Sequence, residues 1–209
     1  MRNVFYFILS MLLLSCSSTQ IIDSWKNKEY TTFKPKKVLI IGITQNLTGR
    51  KMFEIQLKDA LNSRGLQAEE SFNVFDIDFT NSKQTEEDIQ EQLEKLAKKR
   101  YDAVLISAVK GVEEKTVYSR GNTWINYHWR RFGRYYYHYQ DVYFNPGYYQ
   151  NYNIYNIESS LYDFTSKDKV LVWVASYNIV DPTGIDKTVK YYVGAMIKGL
   201  EKENLIPTL

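Results

Sequence analysis

The seven residues Lys37–Ile43, KVLIIGI, form an apolar run of strand length, and this run decides the fold. Its apolar residues follow one another without alternation, which is typical of a strand covered on both faces. After a polar loop, apolar residues recur at helical spacing from Phe53 to Leu61, and Gly65 stands where such a helix would end. A buried strand followed by an amphipathic helix predicts parallel strands joined by right-handed crossovers.

The later elements follow the same two periods, apolar runs of strand length and helical stripes. In chain order they are a strand around 67–75, a helix opened by Thr85 with Ile89, Leu93, Leu96 and Ala97 on one stripe, a strand at 103–106 running on towards Val117, two strands near 154–164 and 170–179, and a last helix with Val189, Val193, Met196 and Leu200 on one stripe. The order β-α-β-α-β, a Tyr-rich insert, then β-β-α predicts an α/β fold, with helices packed on a mixed, mostly parallel sheet.

The first fifteen residues, MRNVFYFILSMLLLS, have the composition of a secretory signal peptide. Arg2 precedes an apolar run that is too short to span a bilayer. The residues Leu13-Leu14-Ser15-Cys16 that close it resemble the lipobox of bacterial lipoproteins, in which the cysteine is diacylated and becomes the new N-terminus. This resemblance implies that Cys16 is the lipidation site and that the membrane is a partner through a lipid anchor.

The residues after Cys16 indicate which membrane is involved. Ser17 stands where inner-membrane lipoproteins of enteric-type bacteria carry aspartate, and no acidic run follows. By this resemblance we expect a periplasm-facing protein on the outer membrane. The predicted organisation is therefore a signal peptide at 1–15, a lipidated cysteine and tether at 16–33, and one domain at 34–209 with an insertion at 119–153.

Composition restricts the partners and the chemistry. The whole chain carries a formal charge of +3, and loss of Arg2 with the signal peptide brings the mature chain close to neutral. Nucleic-acid binding usually requires a strongly basic face, so we expect no nucleic-acid partner. Cys16 is the only cysteine, so the mature domain has neither a disulfide nor a thiol nucleophile.

The order and pattern of the chain resemble a known group of proteins. The passages KKVLIIGIT, RKMFEIQLKDALNSRGLQA, YDAVLISAV and LYDFTSKDKVLVWVAS, with a Tyr/Gly-rich insert before the last, are similar to a family of small bacterial lipoproteins of unknown function. Their core resembles the N-terminal domain of TolB. The resemblance covers residues 24–206 and implies an envelope accessory or interaction protein; it implies no active-site residue.

The loop after the first predicted strand does not match a nucleotide-binding motif. Gly42 and Gly49 are separated by six residues, and Arg50-Lys51 follows, so the spacing G-x-x-x-x-G-K-[ST] fails. Arg50 could hold an anion at the helix N-terminus. Its i,i+4 spacing to Glu54 favours a salt pair instead.

Catalytic and metal-binding patterns are also missing from the sequence. His128 and His138 are the only histidines, and with Asp141 they show no regular spacing for a zinc site. We therefore expect no metal, no cofactor and no enzymatic activity. A hydrolase with paired carboxylates remains the alternative class, since the separation of two carboxylates is not visible in sequence.

Residues 118–155 concentrate eleven of the eighteen tyrosines, both histidines and four arginines. Three interpretations stay open: a structural or disordered insert, a surface for an envelope protein partner, and a surface for an envelope glycan such as peptidoglycan or lipopolysaccharide. Tyr, Trp and Arg dominate interface hot spots, which motivates the hypothesis of an exposed aromatic-basic binding surface. The candidate binding residues are Trp124, Trp129, Arg130, Arg131, Arg134, Tyr135, Tyr136, Tyr137 and Tyr139.

Overall fold

The computed structural model describes residues 19–76, 79, 84–119, 148–166, 169–180, 182 and 184–209. Its elements are, in chain order, β1 (Thr19–Lys26), β2 (Lys37–Ile43), α1 (Leu47–Asn62), β3 (Gln67–Glu70), a 3-10 turn (Ser71–Asn73), α2 (Glu86–Lys98), β4 (Ala103–Ser119), β5 (Tyr148–Asp163), β6 (Leu171–Val180) and α3 (Ile185–Lys202). These elements confirm the predicted mixed α/β class.

The strands of the described residues form one six-stranded sheet in the order β1-β6-β5-β4-β2-β3. β2 pairs in parallel with β3 and β4, whereas the β4–β5, β5–β6 and β6–β1 pairs are antiparallel. The sheet is therefore mixed, and the prediction of a mostly parallel sheet was wrong. Only β2, β3 and β4 follow one another through helical crossovers, while β5 and β6 form a hairpin and β1 lies antiparallel on the edge.

The predicted order also lacks the edge strand β1. Its side chains between Thr19 and Lys26 are exposed, and Ile21 and Trp25 are each about half exposed. An edge strand with so little burial carries neither an apolar run nor an alternating pattern. Hydrophobic periodicity therefore does not predict this strand.

β2 contributes to the core on both faces of the sheet. Val38 and Ile40 belong to the large cluster beneath α1 and α3, whereas Leu39 belongs to a smaller cluster with Leu96 and Val104 on the α2 side. Successive side chains of a strand point to opposite faces. The continuous apolar run of Lys37–Ile43 thus corresponds to burial on both faces, as predicted.

α1 and α3 pack side by side on one face of the sheet, over the fully buried Trp173 and Tyr177 of β6. In the turn after α1, Gly65 adopts a φ of 83°, a conformation that favours glycine. The predicted stripes of both helices are confirmed. Their buried members are Phe53, Leu57 and Leu61 in α1, and Val189, Val193, Met196 and Leu200 in α3.

α2 begins as predicted but buries less than its stripe suggests. The Thr85 hydroxyl accepts a hydrogen bond from the Asp88 N–H, and the Asp88 carboxylate accepts one from the Thr85 N–H, which makes a capping box. Leu96 is buried, whereas Ile89 is 45% exposed. The stripe of α2 therefore meets the sheet only near its C-terminal end.

β4 and β5 extend beyond the rest of the sheet as a two-stranded ribbon. β2 pairs with β4 only as far as Ala108, and β6 pairs with β5 only from Ile154 onwards. The β4–β5 ladder continues for six more pairs, from Glu114 opposite Asn153 to Ser119 opposite Tyr148. At about 3.4 Å per residue this β4–β5 ribbon, 114–119 with 148–153, is about 20 Å long.

Candidate functional site

A cleft of about 240 Å³ opens at the carboxyl end of β2, between the N-terminal turns of α1 and α3. Carboxyl ends of parallel strands are the usual place for ligands in α/β sheets, which makes this cleft the candidate site. Its walls are mainly apolar, and its polar members include Arg50, Ser107 and Tyr192. Apolar side chains that line it are Ile43, Phe53, Val109, Ile157, Ile179 and Ile185.

Arg50 is held by a buried ion pair rather than left free for a ligand. Its Nε lies 3.0 Å from Oε1 of the fully buried Glu54, and its Nη2 donates to the Ser71 hydroxyl at 2.8 Å. The predicted i,i+4 salt pair is thus confirmed. Because both charges are paired and hydrogen-bonded, the guanidinium is neutralised within the protein.

Glu54 also connects α1 to β2 and to the 3-10 turn that follows β3. Its carboxylate accepts hydrogen bonds from the Gly42 N–H at 2.9 Å and from the Ser71 N–H at 2.8 Å. A Cβ at position 42 would lie 3.1 Å from Cγ of Arg50, so glycine permits this close approach. β3 ends at Glu70, where the 3-10 turn Ser71–Asn73 begins with the Ser71 N–H bonded to Glu54, so the strand is shorter than the predicted one, which continued to Phe75.

Three hydroxyl groups form a second buried polar cluster at the cleft. The Ser107 hydroxyl lies 2.9 Å from the hydroxyls of Ser159 and Tyr192, and Ser159 and Tyr192 also bond each other. The Tyr192 ring stacks on Phe53 with the ring centroids 5.5 Å apart. Burial raises the pKa of Tyr192 to about 12, although hydrogen bonds from Ser107 and Ser159 act in the opposite direction. The cluster is therefore neutral at physiological pH.

Tyr177 provides a matched contrast, because its hydroxyl is buried without a hydrogen-bond partner among the described residues. We expect Tyr192→Phe to lower the free energy of unfolding by about 1–2 kcal/mol, since two hydrogen bonds are lost while the ring still stacks. Tyr177→Phe should change it by less than about 0.5 kcal/mol or stabilise the protein, since an unpaired hydroxyl is removed. Urea unfolding of both variants checks the difference; equal losses would contradict this assignment of the two hydroxyls.

The structure shows no metal centre within the part of the chain that it describes: no group of three or more His, Cys, Asp or Glu side chains is placed to hold an ion there. The sequence candidates His128, His138 and Asp141 lie outside those residues. Within the same described ranges, no helix is both long and apolar enough to span a bilayer.

The binding residues predicted from sequence also lie outside the described residues, as does the lipidation site Cys16. They are Trp124, Trp129, Arg130, Arg131, Arg134, Tyr135, Tyr136, Tyr137 and Tyr139. The structure does describe the strands on either side of them, β4 up to Ser119 and β5 from Tyr148. The cleft, in contrast, was not predicted. Its sequence signals are Gly42, Gly49 and Arg50, considered above for nucleotide or anion binding, and Ser107, a polar residue directly after the apolar run 103–106.

Comparison with known proteins assigns no family to the chain. No protein-family model matches it, and no curated protein matches it significantly. Among solved structures, the PelC dodecamer of Paraburkholderia phytofirmans is similar at 12% identity and a TM-score of 0.46, over 91% of this chain and 99% of that one. Lipoprotein GNA1162 of Neisseria meningitidis is similar at 15% identity and a TM-score of 0.42, over 80% and 99% of the two chains. A minor lipoprotein of Acinetobacter baumannii follows at 9% identity and a TM-score of 0.34, over 83% and 98%.

Proposed function

We propose that this protein is a lipid-anchored, non-catalytic binding module of the bacterial cell envelope. Cys16 carries the anchor, the domain faces the periplasm from the outer membrane, and the Tyr-rich segment contacts a protein partner. The observation that most directly supports a contact between the Tyr-rich segment and a partner is the β4–β5 ribbon. It holds both ends of the segment 120–147, at Ser119 and Tyr148, about 20 Å beyond the sheet.

The β4–β5 ribbon is an exposed extension of the sheet and not part of the core. The described side chains of β4 from Glu113 to Thr116 are exposed, as are Asn151 and Asn153 opposite them. A two-stranded hairpin is only marginally stable in water by itself. Contact with a partner would stabilise it, and the residues that it joins are rich in the Tyr, Trp and Arg types that dominate interfaces.

The cleft supports a non-catalytic role. A catalytic base or nucleophile needs a titratable group that faces the substrate with a suitable pKa. Arg50 is engaged by Glu54 and Ser71, and the Ser107 hydroxyl by Ser159 and Tyr192. These polar groups bond one another. The Ser71 hydroxyl donates to the Glu54 carboxylate at 2.8 Å, but both side chains are fully buried, both contact Arg50, and neither lines the cleft.

The lipid anchor is tested by fractionation. Cys16→Ala should move the protein from the membrane fraction to the soluble periplasmic fraction, because each buried methylene of the lipid contributes about 0.8 kcal/mol to membrane binding. A second variant, exported by a cleaved signal peptide that replaces residues 1–16, controls for failed processing of the first. Continued membrane association of both variants would rule out the anchor.

Residues 120–147 can be removed in a way that keeps the two strands of the β4–β5 ribbon connected. Ser119 lies directly opposite Tyr148, so an Asn-Gly turn in place of residues 120–147 would close the hairpin in type I′ geometry. We expect this closed-ribbon variant to keep the melting temperature of the parent, because the core clusters of the described residues lie outside the replaced segment. Its loss of partner binding is then a property of the segment alone.

Site-specific photo-crosslinking measures that binding. A benzophenone amino acid in place of Tyr136 should give a discrete cross-linked protein in envelopes, whereas the same probe at Glu91, 65% exposed on α2, should not. An excess of the parent protein without the probe should suppress the cross-linked product. An excess of the closed-ribbon variant should not suppress it. Suppression by that variant would place the contact on the scaffold. A product sensitive to muramidase would identify the glycan alternative instead.

A further inference from the structure

The edge strand β1 begins next to the cleft. Thr19 is paired with Ile179 of β6, and Ile179 is paired with Tyr155 of β5. Both Ile179 and Tyr155 line the cleft. Cross-strand partners point to the same face of a sheet, so the buried Thr19 side chain lies on the face that carries the cleft. Neighbouring strands are about 4.8 Å apart, which puts the start of β1 beside the cleft wall.

The N-terminal chain reaches the domain at this same end of the sheet. β1 runs antiparallel to β6, so Thr19 lies at the end where β6 finishes and where the parallel strands β2 and β4 have their carboxyl ends. Cys16 is three residues before Thr19 in the sequence. Three residues span at most about 11 Å. A lipid on Cys16 would therefore start within about 11 Å of Thr19.

The cleft has the chemistry of a site for hydrocarbon. Its rim is apolar and open to solvent, with Ile43 52% exposed, Ile185 37% exposed, and the adjacent Leu47 57% exposed. The Asn46 side chain caps the Gly49 N–H at 2.9 Å, and Arg50 is paired inside the protein. At about 240 Å³ the cleft is smaller than the ~300–1,000 Å³ of drug-sized sites, so it suits part of one chain rather than a whole lipid.

We infer that the cleft takes one acyl chain of the lipid carried by Cys16. This inference rests on the proposed lipidation and adds to it an occupant for the cleft. With one chain in the cleft and the others in the bilayer, the carboxyl end of β2 faces the membrane. The acyl chain thereby sets the orientation of the domain, which a simple tether would leave free.

Isoleucine methyl groups report on the cleft directly, because Ile157 and Ile179 line it while Ile197 and Ile206 lie in the core outside its lining. The sample is the mature lipidated protein in fully deuterated dodecylphosphocholine micelles. The protein is deuterated except at its labelled isoleucine methyl groups, and the lipid on Cys16 keeps its protons. Protons of the acyl chain should give NOEs to the methyls of Ile157 and Ile179. Ile197 and Ile206 should receive none. The unlipidated chain 17–209, which contains every described element, should show none at any of the four.

A cleft-filling variant sharpens the test. Thr188 of α3 lines the cleft and is only partly buried, so Thr188→Phe narrows the cleft without a change to the core clusters. Loss of the two NOEs in lipidated Thr188→Phe supports the inference, and their persistence overturns it, as does their absence in the parent. Mass spectrometry separates the two ideas. Absence of lipid on Cys16 defeats the proposed anchor, whereas lipid without cleft NOEs defeats this inference alone.

Discussion

Replacing Glu54 with alanine is expected to lower the free energy of unfolding by about 3–5 kcal/mol. The substitution removes the acceptor of the Gly42 N–H and of the Ser71 N–H. It also leaves the guanidinium of Arg50, only 10% exposed, without its counter-charge. Breaking a buried pair by removal of one partner costs far more than the pair contributes in net terms, because an uncompensated charge stays buried. Urea or thermal unfolding of the unlipidated chain 17–209 measures the loss.

Two controls distinguish the loss of stability caused by breaking the buried ion pair from a general effect of mutation. Glu91→Ala removes an i,i+4 partner of Lys95 on exposed α2, and we expect a change below about 0.5 kcal/mol. In a cycle of Arg50→Met and Glu54→Gln, the double variant should lose less than the sum of the single variants, since both buried charges are gone. Strict additivity would show that the pair is not coupled and would contradict this account of Glu54.

Alkaline pH should unfold the protein through its buried tyrosines. Burial raises the pKa of Tyr177, and it raises that of Tyr192 to about 12, against an ordinary value of 10.0. Below pH 10 both hydroxyls are protonated in the folded and unfolded states, so these groups leave stability unchanged. Between pH 10 and 12 the unfolded chain has released protons that the folded protein retains. The free energy of unfolding should then fall by about 1.4 kcal/mol per pH unit for each tyrosine.

Tyr177→Phe is the matched variant for this prediction. It removes one of the two groups, so the loss of stability per pH unit should be smaller by about 1.4 kcal/mol than in the parent. Burial and the bond to Glu69 also raise the pKa of Tyr101, but that contribution is the same in both proteins. Urea midpoints by circular dichroism from pH 9 to 12 give the slopes. Equal slopes would show that Tyr177 ionises as readily folded as unfolded.

Hydrophobic periodicity predicted the buried strands and helices. It did not predict the edge strand β1 or the directions in which the strands pair. The run Lys37–Ile43 and the stripes of α1 and α3 are visible in sequence because burial selects apolar residues at a fixed spacing. β1 is not visible, since an edge strand with exposed side chains needs no such spacing. The direction of strand pairing is also hidden, because it depends on which strands meet in three dimensions. The similarity to TolB-type domains stays a prediction.

The same limit explains which part of the cleft could be predicted. Arg50 and Glu54 are one helical turn apart, so their pairing is a local property and was predicted. Ser71 completes that network from another element, and the Ser107–Ser159–Tyr192 cluster joins three elements. Only the fold brings such residues together. The anchor and the aromatic-basic residues lie outside the described ranges and remain proposals.

The position of Thr19 has a mechanical consequence for an anchored protein. Tension between the membrane and the domain would enter at Thr19 and run along β1. Backbone hydrogen bonds of an antiparallel pair lie across the strands, so a pull along β1 loads the β1–β6 bonds in shear, all together, instead of peeling them one at a time. At the far end Lys26 donates to the Glu203 carbonyl and the Asn27 N–H to the Val172 carbonyl. Under the proposed anchor, the edge strand β1 would thus be loaded in the direction that resists force best.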